Sequence, residues 1–312
     1  MDKHSSVYVA GHRGLVGSAI LRRLESEGYA NLVTRTRSEL DLTDQPAVNA
    51  FFAETQPEYV FLAAARVGGI WANSHCPAEF IRDNLMVQCN VIDAAYRCGC
   101  KKFVFLGASC LYPKFAPQPM KEEHLLVGEL EPTNQWYAIA KIAGIKMGQA
   151  YRQQYGFNVI SLMPTNLYGP GDDFDPMMSH VMPGLMRRFH EAKINDAPEV
   201  TVWGTGKARR EFLHVDDLAD ATVHLMLNYE SEEIINVGIG EDISIAELVN
   251  LIKKVVDYRG RIVYDSSKPD GTPRKLLDVS RLSEHGWRAR IGLREGLEQT
   301  YRWFVEHEAV AT

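Results

Sequence analysis

A short apolar run that breaks into three evenly spaced glycines, further apolar runs alternating with helical periodicities, and a change of character past residue 170 predict an α/β fold. The expected class is a Rossmann-type doubly wound parallel sheet with a smaller C-terminal α/β domain for the substrate. Strands that alternate with helices connect through right-handed crossovers, which lay helices on both faces of one sheet.

Val7 to Ala10 reads as the first strand and enters Gly11-His12-Arg13-Gly14-Leu15-Val16-Gly17, after which Ala19, Ile20, Leu21 and Leu24 recur at helical spacing. Leu32 to Thr34 makes a second strand, Ala47 to Phe52 a helix, and Tyr59 to Leu62 a third strand. A helix around Asn90 to Arg97 leads to a fourth strand at Phe103 to Leu106. A long helix over Tyr137 to Tyr155 precedes the strand Val159 to Met163. The chain then breaks at Pro164 and again at Gly169-Pro170-Gly171. Shorter elements follow: a helix over His180 to Phe189, a strand at Val200 to Trp203, a helix from Asp216 to Leu227 and a strand at Ile234 to Val237. Ser244 and Glu247 have the spacing of a capping box that opens a helix reaching Val256. Internal repeats and low-complexity segments are absent from the sequence.

The balance of 46% hydrophobic and 24% charged residues is that of a globular chain, and the net charge of −6 disfavours a nucleic-acid surface. The N-terminus carries no basic-then-apolar leader, and no apolar run is long enough to span a bilayer. Five cysteines, Cys76, Cys89, Cys98, Cys100 and Cys110, lack Cys-x-x-Cys spacing, so neither a disulfide framework nor a zinc site is expected. Reduced thiols and a cytoplasmic location are the reading.

Glycines at 11, 14 and 17 let the backbone approach an anion at a helix N-terminus, where exposed N–H groups and the helix dipole favour phosphate. A site for a dinucleotide without a 2′-phosphate usually has an acid at the end of the second strand; here Thr34 is followed by Arg35-Thr36-Arg37. With Arg13, these cations suit the 2′-phosphate of NADPH through charge-assisted hydrogen bonds. Solvated surface arginines are the alternative. Asp41 and Leu42 then fall near the adenine, and Ala63-Ala64-Ala65 let the cofactor lie against backbone.

Tyr137 and Lys141 stand one helical turn apart, so a positive ammonium beside the phenol is expected to lower its pKa and fit it for proton exchange with a carbonyl oxygen. Tyr264 and Lys268 share the spacing, but Asp265-Ser266-Ser267 and Pro269 read as a strand end and loop.

Several blocks resemble the GDP-L-fucose synthase family of extended short-chain dehydrogenases/reductases. They are Ala10 to Gly14, Ala64-Ala65-Arg66-Val67-Gly68-Gly69-Ile70, Ser109-Cys110-Leu111-Tyr112-Pro113-Lys114, Tyr137 to Lys141, Met163 to Pro170, Arg210 to Asp217, and Lys268 to Lys275. The resemblance covers nearly the whole chain. It implies a homodimer that uses NADPH to convert a GDP-linked keto-deoxy sugar, epimerising at C3 and C5 and reducing at C4. Cys110 and His180 match the family's proton-handling residues, with Ser109 beside them. Cofactor contacts are implied along Gly11 to Gly17, at Arg37, Asp41, Leu42, Ala64, Leu106, Gly107, Ala108, Ser109 and Lys141, and through Pro164, Thr165, Asn166, Leu167 and His180. Arg188, Trp203, Arg210 and Lys275, with Asp270 nearby, are implied for GDP. The cofactor domain is expected over 1–172 and 213–239, and the substrate domain over 173–212 and 240–312. One departure stands out, because Ala108 occupies a position where the family has a hydroxyl, and on a strand Ser109 points the other way. Rival readings are an NAD-recycling sugar-nucleotide 4-epimerase or 4,6-dehydratase, and a non-catalytic NADPH sensor.

Overall fold

The computed structural model describes residues 1–175, 179–268 and 270–309. Pro269, inside the Lys268 to Lys275 block, and residues 310–312 of the expected substrate domain lie outside them. The chain runs β1 (Val7–Ala10), α1 (Leu15–Ser26), β2 (Leu32–Val33), α2 (Gln45–Thr55), β3 (Tyr59–Leu62), α3 (Ile70–His75), α4 (Pro77–Arg97), β4 (Lys102–Leu106), α5 (Gln135–Tyr155), β5 (Val159–Pro164), β6 (Asn166–Tyr168), α6 (Val181–Ile194) and β7 (Glu199–Trp203). It continues through β8 (Arg209–Arg210), β9 (Phe212–His214), α7 (Val215–Asn228), β10 (Ile235–Val237), β11 (Ile243–Ser244), α8 (Ile245–Val256), β12 (Arg261–Asp265), β13 (Arg274–Lys275), α9 (Ser280–Glu284) and α10 (Leu293–His307).

Six strands make one parallel sheet in the order β10-β5-β4-β3-β1-β2. Both faces are buried, which is why its strands read as continuous apolar runs. Tyr8, Val60, Phe103 and Phe105 face Phe51 and Phe52 of α2, Val91 of α4 and Ile145 of α5. Val7, Val9, Phe61 and Val104 face Ile20 and Leu24 of α1 and Leu218 and Val223 of α7. Each such fully buried side chain contributes roughly 1.5–3 kcal/mol. Because β2 and β3 flank β1, the strand order reverses there and opens a crevice at the strands' C-terminal ends, where ligands of such sheets bind.

A third core joins Met186 and Phe189 of α6, Val200 and Val202 of β7, Leu248 and Ile252 of α8, and Leu297 and Phe304 of α10. Beside it β12 pairs with β7, and β8 lies between β11 and β13. The capping box of α8 is present: Glu247 N donates to Ser244 Oγ at 3.2 Å, and Ser244 N to Glu247 Oε2 at 2.9 Å. The helix expected around Asn90 begins as early as Pro77, whose fixed φ suits the first turn, and the second strand stops at Val33. The strands β6, β8, β9, β11, β12 and β13 escape sequence reading: all but β12 span only two or three residues, and β12 opens on Arg261 and ends on Asp265. Helix α10 is different: Leu293, Leu297, Tyr301 and Phe304 form a readable stripe. Among the described residues, no helix is long and apolar enough to cross a membrane, and no His, Cys, Asp or Glu group could hold a metal ion.

Candidate active site

The first wall of the site is the turn between β1 and α1. Gly11 has φ +83°, and a Cβ there would lie 2.7 Å from the Ala64 nitrogen at the end of β3. A Cβ on Gly17 would collide with the Gly11 carbonyl. Gly14 differs, since its Cβ would meet only the Gly11 oxygen at 3.6 Å, an ordinary contact. The space over Gly14 is therefore open to a ligand. No side chain caps α1 and no acid occupies its first turn, leaving its N-terminal donors unneutralised. His12 Nδ1 is buried there without a partner among the described residues. Such a cradle fits a pyrophosphate.

Beyond β2, Arg13 and Arg37 are exposed. Arg35 instead donates to the Thr34 carbonyl at 2.8 Å and lies 5.3 Å above the Phe51 ring. Asp41 accepts from Thr43 N at 2.9 Å and Thr43 Oγ1 at 2.8 Å. These bonds, with a smaller effect of Arg37, hold its carboxyl below the usual range. Leu42 is buried and its carbonyl takes a hydrogen bond from Asn90. Ala64 is half-buried.

Tyr137 and Lys141 share one face of α5. Phe80 meets the Tyr137 ring edge-on at 6.5 Å, with the Arg66 guanidinium 5.6 Å from the Phe80 ring. Lys141 is buried, donates from Nζ to the Leu106 carbonyl at 2.9 Å, and sits 4.8 Å from the Phe105 ring centre. Burial pushes its amine down to about 8, with Cys110 opposing. The expectation that Lys141 acidifies the phenol is overturned, because burial and then Cys110 raise the Tyr137 pKa. Desolvation dominates here while the ammonium is directed to a backbone oxygen. Tyr137 therefore rests as a protonated phenol, suited to donate.

Ala108 is the last extended residue after β4, with φ −166°, and Ser109 to Leu111 form a 3-10 turn. Ser109 is thus not on a strand, contrary to the sequence argument; the chain has already turned. A Cβ on Gly107 would come within 2.6 Å of Met163 Sδ and 3.2 Å of the Leu162 carbonyl, so a side chain there would displace the Met163 thioether. Burial raises the Cys110 thiol, and Lys275 and then Lys141 oppose this. Cys110, Tyr137, Lys141 and Lys275 thus form one electrostatic group. His180 is the N-cap residue of α6 and exposed at its surface; partial loss of water around the ring lowers its pKa, with Asp173 opposing. Among the described residues, Asp173 is the charge that acts on it.

On the far side Lys275 pairs in register with Arg210 across β13 and β8. The Lys275 amine is lowered chiefly by burial, with Cys110 opposing and Arg210 adding to the fall. Arg188 donates to the Thr201 carbonyl at 2.9 Å, and Trp203 at the end of β7 is 65% exposed, an unusual state for an indole. Asp270 takes hydrogen bonds from Thr205 N at 2.6 Å and Thr205 Oγ1 at 2.7 Å, so its carboxylate shapes the loop after Trp203. Thr165, just past Pro164 at the end of β5, and Asn166 at the start of β6 donate to the Glu211 carbonyl, and Leu167 is half-buried on β6. A narrow cleft lined by Ser109, Cys110, Lys114, Glu131, Thr272 and Lys275 adjoins the group. Sequence reasoning missed Phe80, Glu131 and Glu211; Glu211 follows Arg209 and Arg210, so in the sequence it reads as a surface ion-pair partner and carried no signal of burial. A cavity of about 680 Å³ is lined by residues such as Asp242, Trp287 and Arg290 and by none of Cys110, Tyr137 or Lys141.

A parallel sheet with an anion cradle at its reversal of strand order, and a Tyr-x-x-x-Lys pair with a buried lysine and a half-buried tyrosine, defines a dehydrogenase/reductase of the short-chain type. Residues 7–238 match the NAD dependent epimerase/dehydratase family, and the chain belongs to that family. It is 62% identical over 307 residues to "Probable GDP-L-fucose synthase 1" of Oryza sativa subsp. japonica, covering 98% of this chain and 94% of the relative. With "GDP-L-fucose synthase" of Escherichia coli (strain K12) the identity is 56%, covering 97% of each chain. A GDP-mannoheptose C4 reductase from Campylobacter jejuni, solved with NADP bound, superposes with a TM-score of 0.90 at 40% identity, covering 98% of this chain and 99% of the other.

Proposed function

We propose that the chain catalyses NADPH-dependent 3,5-epimerisation and 4-reduction of GDP-4-keto-6-deoxy-D-mannose to GDP-L-fucose. The grouping of Cys110, Tyr137, Lys141 and Lys275 carries this reading, since it sets an acid–base thiol and a phenol proton donor beside a cation that suits a diphosphate. The relatives named GDP-L-fucose synthase support the same substrate. NADP is supported by Arg13 and Arg37, by the absence of an acid directly after β2, and by the NADP-bound relative.

Gly11 to Gly17 and the α1 N-terminus hold the pyrophosphate, Arg13 and Arg37 the 2′-phosphate, and Lys141 the nicotinamide ribose. When bound, NADPH supplies two electrons and a hydrogen to the C4 carbonyl carbon. Tyr137 delivers the balancing proton to the C4 oxygen. The C4 carbonyl acidifies the C–H bonds at C3 and C5, and Cys110 and His180 withdraw and return protons there, so epimerisation leaves composition unchanged. In their resting states the thiol holds its proton and the imidazole does not, which provides one donor and one acceptor. Arg188, Arg210 and Lys275 neutralise the diphosphate, Trp203 packs on the nucleotide, and Asp270 holds the loop that presents it.

The division into a cofactor domain of 1–172 and 213–239 and a substrate domain of 173–212 and 240–312 is supported by the third core, although Tyr168 joins that core and Leu277, Leu282 and Trp287 pack with the sheet. A cytoplasmic homodimer is supported by free cysteines and by Met86, Trp136 and Ile139, exposed on α4 and α5. The deciding experiment follows NADPH absorbance with the GDP-keto sugar and identifies the product by NMR. One NADPH should be consumed per GDP-L-fucose formed; turnover without net oxidation would favour a 4-epimerase or 4,6-dehydratase.

A further inference from the structure

Glu211 lies between β8 and β9 and has no exposed surface. No cation pairs with it among the described residues. Its carboxylate is instead satisfied by three backbone donors from two parts of the chain. Oε1 accepts from Ile239 N at 2.6 Å and Gly240 N at 2.8 Å, just past β10 of the six-stranded sheet. Oε2 accepts from Leu277 N at 2.9 Å, two residues after Lys275. A Cβ on Gly238 would collide with Oε1, so the chain is shaped around the carboxylate. The main chain of Glu211 adds to the junction. Its N–H donates to the Lys275 carbonyl at 3.2 Å, and its carbonyl accepts from Thr165 Oγ1 at 3.3 Å and Asn166 Nδ2 at 2.8 Å.

We propose that Glu211 is a positioning residue whose buried carboxylate ties the Lys275 strand to the end of β10, so that Lys275 stays beside Cys110 and Arg210. This rests on the reading of Lys275 and Arg210 as diphosphate ligands. Burying a carboxylate without a counter-cation is unfavourable, and a neutral glutamine would avoid that penalty. Glutamine, however, has one acceptor oxygen and an NH2 group. Facing its oxygen to Ile239 and Gly240 satisfies two donors and turns the NH2 against the Leu277 N–H. Three donors divided between two oxygens require the carboxylate. The two oxygens therefore serve to hold two chain segments together, and the side of the junction that glutamine releases is the one carrying Lys275. Leu276 N is held separately by Gln118 Oε1 at 2.9 Å, so that release should displace Lys275 without unravelling the segment.

The test is Glu211→Gln, with GDP affinity measured by calorimetry and NADPH affinity by fluorescence titration. GDP should weaken about tenfold, the scale of one buried unsatisfied donor, with NADPH affinity within about twofold of the parent. Lys275→Ala should weaken GDP on its own, and the double variant should be no weaker than Lys275→Ala, since the clamp acts through that lysine. Equal losses for GDP and NADPH, or additive losses in the double variant, overturn the proposal. Unchanged GDP affinity in Glu211→Gln alone overturns the clamp and leaves Lys275 as a diphosphate ligand. Unchanged affinity in Lys275→Ala overturns that ligand assignment and the clamp with it. If Glu211→Gln does not fold, Glu211→Asp replaces it; both oxygens and the charge are kept but withdrawn by one methylene, and the same split between GDP and NADPH is expected.

Discussion

At the scale of single residues, chemistry follows from which protonation state each environment favours. Tyr137 rests as a phenol, because burial outweighs any help from Lys141. Tyr137→Phe should therefore lose reduction by about 10²–10⁴-fold while solvent deuterium still enters C3 and C5, as read by NMR. Loss of deuterium entry together with reduction would show that the phenol serves both steps. Lys141 behaves differently, with an amine that burial brings down to about 8, charged below that pH and neutral above it. NADPH affinity should fall as pH rises from about 7 to 9 in the parent and stay flat in Lys141→Met; parallel titration curves for the two proteins would reject this role. The same shift affects stability of the free protein. Between about 8 and the ordinary 10.5 the unfolded chain holds a proton that the folded chain has released, so this group adds stability as pH climbs through that window.

At the scale of elements, the β1–α1 turn separates two uses of glycine. Gly17 is demanded by the fold, since any side chain meets the Gly11 backbone, whereas Gly14 has room and borders the open cradle. Gly17→Ala should lower stability by about 1–3 kcal/mol in chemical denaturation. Gly14→Ala should leave stability within about 0.5 kcal/mol and weaken NADPH binding about tenfold or more, through the methyl group facing the pyrophosphate. If Gly14→Ala binds NADPH as the parent does, the pyrophosphate does not lie over this turn. Helix α5 shows the same economy, because one face carries Tyr137 to Phe80 and Lys141 to the Leu106 carbonyl while Ala138, Ile142 and Ile145 seat the helix on the core.

At the scale of the molecule, the cofactor crevice lies where β1 and β3 part, and the proposed substrate cations come from α6, β8 and β13, beside the third core. Ligands that bind only this folded arrangement stabilise it by mass action. NADPH at a hundredfold excess over its dissociation constant should add about 2.7 kcal/mol, seen as a rise in the thermal midpoint. An unmoved midpoint at that excess would exclude NADPH as a ligand of the native state.

Sequence alone determined the sheet, since a strand buried on both faces must be apolar along its length, and Val7 to Ala10, Tyr59 to Leu62 and Phe103 to Leu106 are so written. It also determined the glycine turn and the Tyr137–Lys141 pair, because local spacing fixes which groups share a helix face. Tertiary structure decided the rest. Lys275 lies opposite Arg210, and in the same cleft as Cys110, because β13 pairs with β8, a pairing between residues distant in the chain and too short to leave a periodic trace. The reversal in Tyr137's acidity has the same origin: adjacency on a helix is local, whereas loss of water around a phenol depends on everything packed over it.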